Sequence, residues 1–213
     1  FGPAHDYDNG GLKLYDLFTA TQYEGGLKTQ FYDGALTANL VYFDLERTQF
    51  FQDPSSDNIR LSVPVRGKSR GVEFDAQGQI YNSLSMIWTY VYTDTEVTED
   101  PTDSANVGNR LPFAPRNQGS VWLKYDFTQG LLQGLSLGGG VYAAGRRFGD
   151  SANSYSDGDY ASLDLMAAYK VTLGRSMLTT QLNINNVNDA EYFYLRSRGT
   201  NLPADPLTVT GSI

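Results

Sequence analysis

About nine segments of this chain alternate apolar and polar residues, and the links between them alternate short and long. A period of two is the mark of strands with two different faces, and a helix of period 3.6 does not fit it. Val72, Phe74 and Ala76 share a face against Glu73, Asp75 and Gln77. Leu84, Met86, Trp88, Tyr90 and Tyr92 oppose Ser85, Thr89 and Thr93. Val121, Leu123, Tyr125 and Phe127 oppose Ser120, Lys124 and Asp126. The same rhythm runs through Leu135–Ala143, Ala161–Val171 and Leu178–Asn185. It recurs in the flanking stretches around Leu27–Phe31 and Leu207–Ile213. Leu36–Thr48 is strand-like with a disturbed phase, because Asp44 and Glu46 fall in register with Leu40 and Tyr42. A bulge, or a strand leaving the apolar zone, is expected there. Phe1–Leu17 is rich in Gly and Asp and reads as a loop leading into the first strand.

Period two suits a soluble sandwich as well as a membrane barrel, so the connections have to separate them. Short turns fall at Tyr32–Gly34, Tyr81–Ser83, Thr128–Gly134 and Thr172–Ser176. Long polar links fall at Phe51–Ile59, Thr95–Pro112, Gly149–Asp159 and Asn188–Asp205. An antiparallel meander with every short link at one rim and every long link at the other has this order, as outer-membrane barrels do. A Greek-key sandwich has no reason to keep it. Trp88, Tyr90, Tyr92, Tyr125, Phe127 and Tyr169 lie near strand ends on apolar faces, where interfacial aromatic girdles sit. They are also compatible with an ordinary aromatic core. No run of about 18 apolar residues is present, so no transmembrane helix is expected. The fold class is therefore all-β: an antiparallel, up-and-down transmembrane β-barrel.

Composition removes other classes. The net charge of −8 argues against a nucleic-acid partner. With no Cys there is neither a disulfide framework nor a thiolate metal site, and His5 is the one histidine. No nucleophile–base pair, phosphate loop or metal-ligand cluster is legible, so no enzyme and no metal centre is expected. Asp150, Asp157 and Asp159 lack the spacing of a calcium loop and read as a solvated loop.

Several stretches then resemble one family. Gln22–Lys28 looks like a Tyr-Glu-x-Gly-x-Lys strand, and Lys68–Phe74 contains an Arg-Gly-x-Glu strand start. Thr89–Val97 is an aromatic strand running into a long loop. Gly108–Arg116 resembles a Pro-x-x-Pro-Arg re-entry, and Gly145–Asp150 with Tyr160–Tyr169 resembles the next strand pair. Asn183–Tyr192 is similar to an Asn-Leu-Phe-Asp-Lys-x-Tyr signature. In this order they resemble the C-terminal part of the barrel of TonB-dependent outer-membrane receptors, in the ferric-siderophore branch.

That resemblance implies that residues 1–213 form the C-terminal portion of a barrel of about 22 strands. The family's plug domain, its TonB-engaging box and its N-terminal barrel strands are expected to be missing here. It also implies uptake of a ferric siderophore across the outer membrane, energised through TonB. The siderophore would be the transported ligand, with no covalently bound cofactor. The other expected partners are outer-membrane lipid and lipopolysaccharide, around a monomeric barrel. A passive porin-type channel, a haem or cobalamin receptor, and a soluble all-β binding domain remain as alternatives.

In such a barrel the long links face outward from the cell. Arg and Tyr there suit anionic, aromatic ligands through charge and stacking. The candidate ligand residues are Arg146, Arg147, Tyr155, Tyr192, Phe193, Tyr194, Arg196 and Arg198. Arg146 and Arg147 also suit ion pairs with carboxylates such as Asp150 or with lipopolysaccharide phosphates, and Tyr192–Tyr194 suit an upper girdle. Glu73, Asp75 and Asp164 are expected to face the lumen, against a plug or as solvated wall. Asn186 and Asp189 are expected to cap a strand end through side-chain bonds to the backbone.

Overall fold

Alternation at this length gives strands that need partners on both sides. The computed structural model describes residues 5–8, 11–14, 19–52, 62–101, 103–197 and 200–213. Strands β3 (Ala20–Phe31), β4 (Leu36–Gln52), β5 (Ser62–Tyr81) and β6 (Leu84–Glu99) lead the main sheet. β7 (Asn117–Asp126), β8 (Leu135–Ala144), β11 (Tyr160–Leu173), β12 (Ser176–Asn185) and β15 (Thr208–Ser212) complete it. These nine strands form one antiparallel meander in the order β15-β12-β11-β8-β7-β6-β5-β4-β3. The remaining pairs are small hairpins inside the links: β1 (His5–Asp8) with β2 (Gly11–Leu14), β9 (Arg147–Phe148) with β10 (Ser156–Asp157), and β13 (Phe193–Ser197) with β14 (Thr200–Pro203). The first of them corrects the reading of Phe1–Leu17 as plain loop, because His5–Asp8 pairs residue by residue with Gly11–Leu14.

Register puts the two faces side by side across the sheet. Phe31, Leu36, Gly78, Met86, Leu123, Gly139, Leu165, Ile184 and Val209 form one continuous row over nine strands. Lys28, Asn39, Asp75, Thr89, Ser120, Tyr142 and Ser162 form a row on the opposite face. On that polar face Asn39 Nδ2 donates to Asp75 Oδ2 at 2.8 Å, and the Thr89 and Ser120 hydroxyls lie 2.8 Å apart. The apolar face has no second layer over it among the described residues: Leu123, Leu165 and Leu182 are 40%, 48% and 45% exposed. A water-soluble sandwich would cover such a face with a second sheet. Hydrocarbon would cover it in a barrel, and Leu84–Tyr92 has the ~9–11 residues a tilted strand needs to cross.

The phase puzzle in Leu36–Thr48 resolves without a bulge. β4 pairs with β3 and β5 in unbroken register. β4 and β5 run 17 and 20 residues, beyond the span of a membrane, so their outer ends leave the apolar zone. There Glu46 meets Lys68 at 4.0 Å, and Asp94 meets Arg70 at 3.3 Å and Arg116 at 3.0 Å.

The short turns sit where the sequence places them. Tyr32, Asp33 and Gly34 all take positive φ, as does Ser83 in the two-residue turn after β5. Gly174 takes φ +62 at the first position of the two-residue turn before β12, where a side chain would be strained. At the opposite rim the β6–β7 link folds back on the extended hairpin. Val65, Val97 and Leu111 form a buried apolar cluster there, and Leu111 N donates to Thr95 Oγ1 at 3.2 Å.

Candidate functional site

Two of the long links, β6–β7 and β8–β11, are knitted to each other. Arg110 N donates to Asn153 Oδ1 at 3.0 Å, and Asn153 Nδ2 donates back to Arg110 O at 2.9 Å. Asn109 Nδ2 reaches Ser151 O at 3.0 Å, and Phe113 N reaches Phe148 O at 2.7 Å. Asn153 sits at φ +54, a conformation that asparagine tolerates better than most residues. The β6–β7 and β8–β11 links thus act as one platform at the long-link rim.

The last long link is held by the two caps expected from the sequence. Asn186 is buried, with φ +53. Its Nδ2 donates to Ala190 O at 3.0 Å and Asp205 O at 3.1 Å, and its Oδ1 accepts from Ala190 N at 2.8 Å. Asp189 Oδ1 accepts from Leu207 N at 3.0 Å. Asn188 extends the ladder with its side chain, accepting from Leu163 N and donating to Ala161 O, each at 2.9 Å. These bonds place Tyr192 against the start of β11.

An aromatic run results. Tyr160 and Tyr192 stack with ring centroids 3.9 Å apart and planes 9° from parallel. Tyr194 stands edge-on to Tyr192 at 5.6 Å, and Tyr142 lies 5.9 Å from Tyr160 on the other side. Tyr142 and Tyr160 belong to the polar-face rows, so the run lies on the inner face near the rim. Beside it, Arg147, Asp157, Gly158, Asp159, Tyr160, Glu191, Tyr192 and Phe193 line a cavity of about 170 Å³. Arg147 Nε pairs with Asp157 Oδ2 at 3.6 Å, both side chains 13% exposed. Arg147 Nη2 is buried with no hydrogen-bond partner. A buried guanidinium N–H without an acceptor is costly, so an anionic or carbonyl oxygen entering the cavity would be held. Burial first, and Tyr194 second, push the Tyr192 phenol up to about 12, so it stays a neutral donor at physiological pH.

Of the eight candidate ligand residues, Arg147, Tyr192, Phe193 and Tyr194 come together here. Tyr155 lies apart, its hydroxyl donating to Gly149 O at 2.9 Å within its own link. Arg146 lines a separate groove, with Asp159 and Tyr160. Arg196 belongs to β13, of whose side chain nothing is described, and Arg198 lies outside the described residues. Among the three carboxylates, Glu73 is exposed, Asp75 is tied to Asn39, and Asp164 Oδ1 accepts from Asn186 N at 2.8 Å. Asp164 thereby holds the turn that positions Tyr192. Tyr142 and Tyr160 were not among the sequence candidates. Their signal was an aromatic ring on the polar side of an alternating strand. No group of three or more potential metal-ligating side chains occurs among the described residues.

A site of this size admits one ring or one acidic arm of a ligand, since whole-ligand pockets run to ~300–1,000 Å³. Residues 3–187 match the model of the TonB-dependent receptor-like β-barrel family. A metal-pseudopaline receptor of Pseudomonas aeruginosa is 34% identical over 96% of this chain, which covers 29% of that protein. The ferrichrome outer membrane transporter and phage receptor of Escherichia coli is 32% identical over 80% of the chain, covering 23% of that protein. The crystal structure of the ferric preacinetobactin receptor of Acinetobacter baumannii superposes with a TM-score of 0.79 at 22% identity, over 92% of this chain and 29% of that one. The chain thus spans less than a third of the length of these relatives.

Proposed function

Because this chain belongs to the TonB-dependent receptor β-barrel family, we propose that it forms the C-terminal wall of a barrel that imports a ferric siderophore. The family is one of outer-membrane receptors and not of enzymes, and it crosses the membrane with strands. In this reading residues 1–213 contribute nine strands to the wall, and a plug outside this chain couples the barrel to TonB. The barrel works as a monomer in lipid and lipopolysaccharide.

The observation that carries the reading is the stacked Tyr160–Tyr192 pair beside the unpaired Arg147 Nη2. A planar iron-chelating arm would lie against the tyrosines while its oxygen accepts from Arg147. Asp157, Asp159 and Glu191 also line the cavity, and the Arg147 guanidinium is the one cation among its lining residues. Glu73 and Asp75 lie on the inner face farther from the rim and suit the plug rather than the incoming ligand.

The test uses the full-length receptor expressed in iron-starved cells, with uptake of radiolabelled iron delivered as hydroxamate, catecholate and mixed ferric siderophores. Saturable uptake of one of them that disappears without TonB is expected. Uptake that persists unchanged without TonB would make this a passive channel. Uptake of haem or cobalamin but no siderophore would replace the ligand class.

A further inference from the structure

The rim cavity holds more negative charge than its guanidinium answers. Three carboxylates, Asp157, Asp159 and Glu191, line it against Arg147. Arg147 Nε is taken by Asp157 Oδ2 at 3.6 Å, and that largely buried pair is close to neutral. Asp159 accepts the backbone N–H of Arg146, a neutral donor that leaves the carboxylate charge in place. Neither Asp159 nor Glu191 makes an ion pair among the described residues. Both are exposed. The cavity therefore combines a buried donor, Arg147 Nη2, with two uncancelled carboxylates on its solvent side.

The two features ask for different groups. A buried N–H without an acceptor calls for an oxygen. An anionic oxygen would have to come past two like charges to reach it, and like charges repel more strongly beside a protein than in open water. A neutral carbonyl oxygen meets Arg147 Nη2 without that cost. The carboxylates call for a positive charge, and the faces of Tyr160 and Tyr192 also favour cations over anions. No group of three or more potential metal-ligating side chains occurs among the described residues, so these carboxylates do not make a seat for a bare metal ion. The cation that answers them is an organic one, carried on the arm that the cavity admits.

We propose that this cavity selects ferric chelates whose arm carries a protonated amine near a neutral carbonyl, the carbonyl oxygen accepting from Arg147 Nη2 and the ammonium answering Asp159 and Glu191. A linear ferric hydroxamate that ends in a primary amine has this chemistry, and an anionic ferric catecholate does not. Asp159 and Glu191 are then specificity-determining residues. They set the sign of charge that the rim accepts, while the tyrosines and Arg147 hold whatever arm has entered. The assignment rests on the import reading of the same cavity and names the ligand class within it.

Full-length receptor in a neutral detergent is tested by equilibrium dialysis against three chelates of radiolabelled iron. They are a linear trihydroxamate ending in a primary amine, the same compound with that amine acetylated, and a tris-catecholate. Acetylation leaves the iron centre alone and removes only the positive charge. The free amine is expected to bind about tenfold more tightly than the acetylated form, since two partly exposed carboxylates each contribute about threefold. Glu191→Gln should reduce amine binding about threefold and leave the acetylated form unchanged, with heat-modifiable mobility confirming a folded barrel. In the unaltered receptor, raising salt from about 0.05 to about 0.5 M should weaken the amine form alone, because exposed charges are screened. Equal affinity for the two hydroxamates, which a cation from elsewhere in the receptor already seated at Glu191 would produce, overturns the proposal. So does tighter binding of the catecholate, or an equal loss of both hydroxamates in Glu191→Gln, and these results leave ferric-siderophore import standing. Failure of iron-starved cells to take up iron from any of the three overturns the import reading, and the proposal with it.

Discussion

At Tyr192 three demands meet: a stacked ring, a neutral hydroxyl and a place at the rim. Replacing it with Ala removes the stack on Tyr160, and ferric-ligand affinity is expected to fall about two- to tenfold, since such aromatic pairs contribute ~0.5–1.5 kcal/mol. Tyr192→Phe keeps the ring and should cost much less; the comparison is made by equilibrium binding to the purified receptor. The phenol proton is held more tightly in the folded chain than its ordinary value of 10.0. Its contribution to stability is therefore fully present below pH 10 and is lost as the pH rises from there through about 12, which a phenolate absorbance titration would follow. Asn186 carries a different load. Asn186→Ala strips three side-chain bonds and leaves the Ala190 N–H and two carbonyls to find other partners. A loss of ~1–3 kcal/mol in thermal unfolding of the receptor is expected. Asn186 and Asp189 were legible as caps because their chemistry is local. Tyr160 was not, because its partner is 32 residues away and only the folded link brings the two rings together.

Among the strands, alternation located all nine members of the sheet and every short turn. It did so because a half-buried strand must keep its phase for as long as its two sides meet different media. The exceptions to the phase are also informative. Trp122 falls on the inner face, opposite to Val121 and Leu123, and lies over Gly138 and Gly140. A Cβ on Gly140 would stand 2.4 Å from Trp122 Cε3 and 2.7 Å from Val121 O, and one on Gly138 would stand 3.0 Å from Trp122 Cζ2. The Gly138-Gly139-Gly140 run is thus a seat for an indole, a role that no count of turn-forming residues reveals. Gly140→Val should displace the ring and lower the unfolding midpoint of the receptor, at a cost of ~1–3 kcal/mol. The sequence marks the long links only by length and polarity, yet the two that follow β8 and β12 contain hairpins and the β6–β7 link is pinned to the β8–β11 link. Asn153→Ala should release that pin. Hydrogen exchange in 149–155 is expected to speed about tenfold or more with little change in the strands.

Taken whole, the described sheet is a wall and not a closed body. β15 and β3 stand at its edges without pairing to each other, one face is apolar and exposed, and the other is polar. An open edge and an uncovered apolar face are costly in water, and in a closed barrel in lipid both disappear. The central claim is that even-numbered residues of the Leu84–Tyr92 stretch of β6 meet lipid and odd-numbered ones do not, whatever their own polarity. Single cysteines placed in turn from Ser85 to Val91 of the full-length receptor, spin-labelled and reconstituted in bilayers, report this through collision with dissolved oxygen, which concentrates in hydrocarbon. The account predicts high oxygen accessibility at Met86, Trp88 and Tyr90 and low accessibility at Ser85, Ile87, Thr89 and Val91. Ile87 and Val91 decide the matter, because hydrophobicity alone would send them to the lipid. High oxygen accessibility at those two positions, or no period of two along β6, would contradict it.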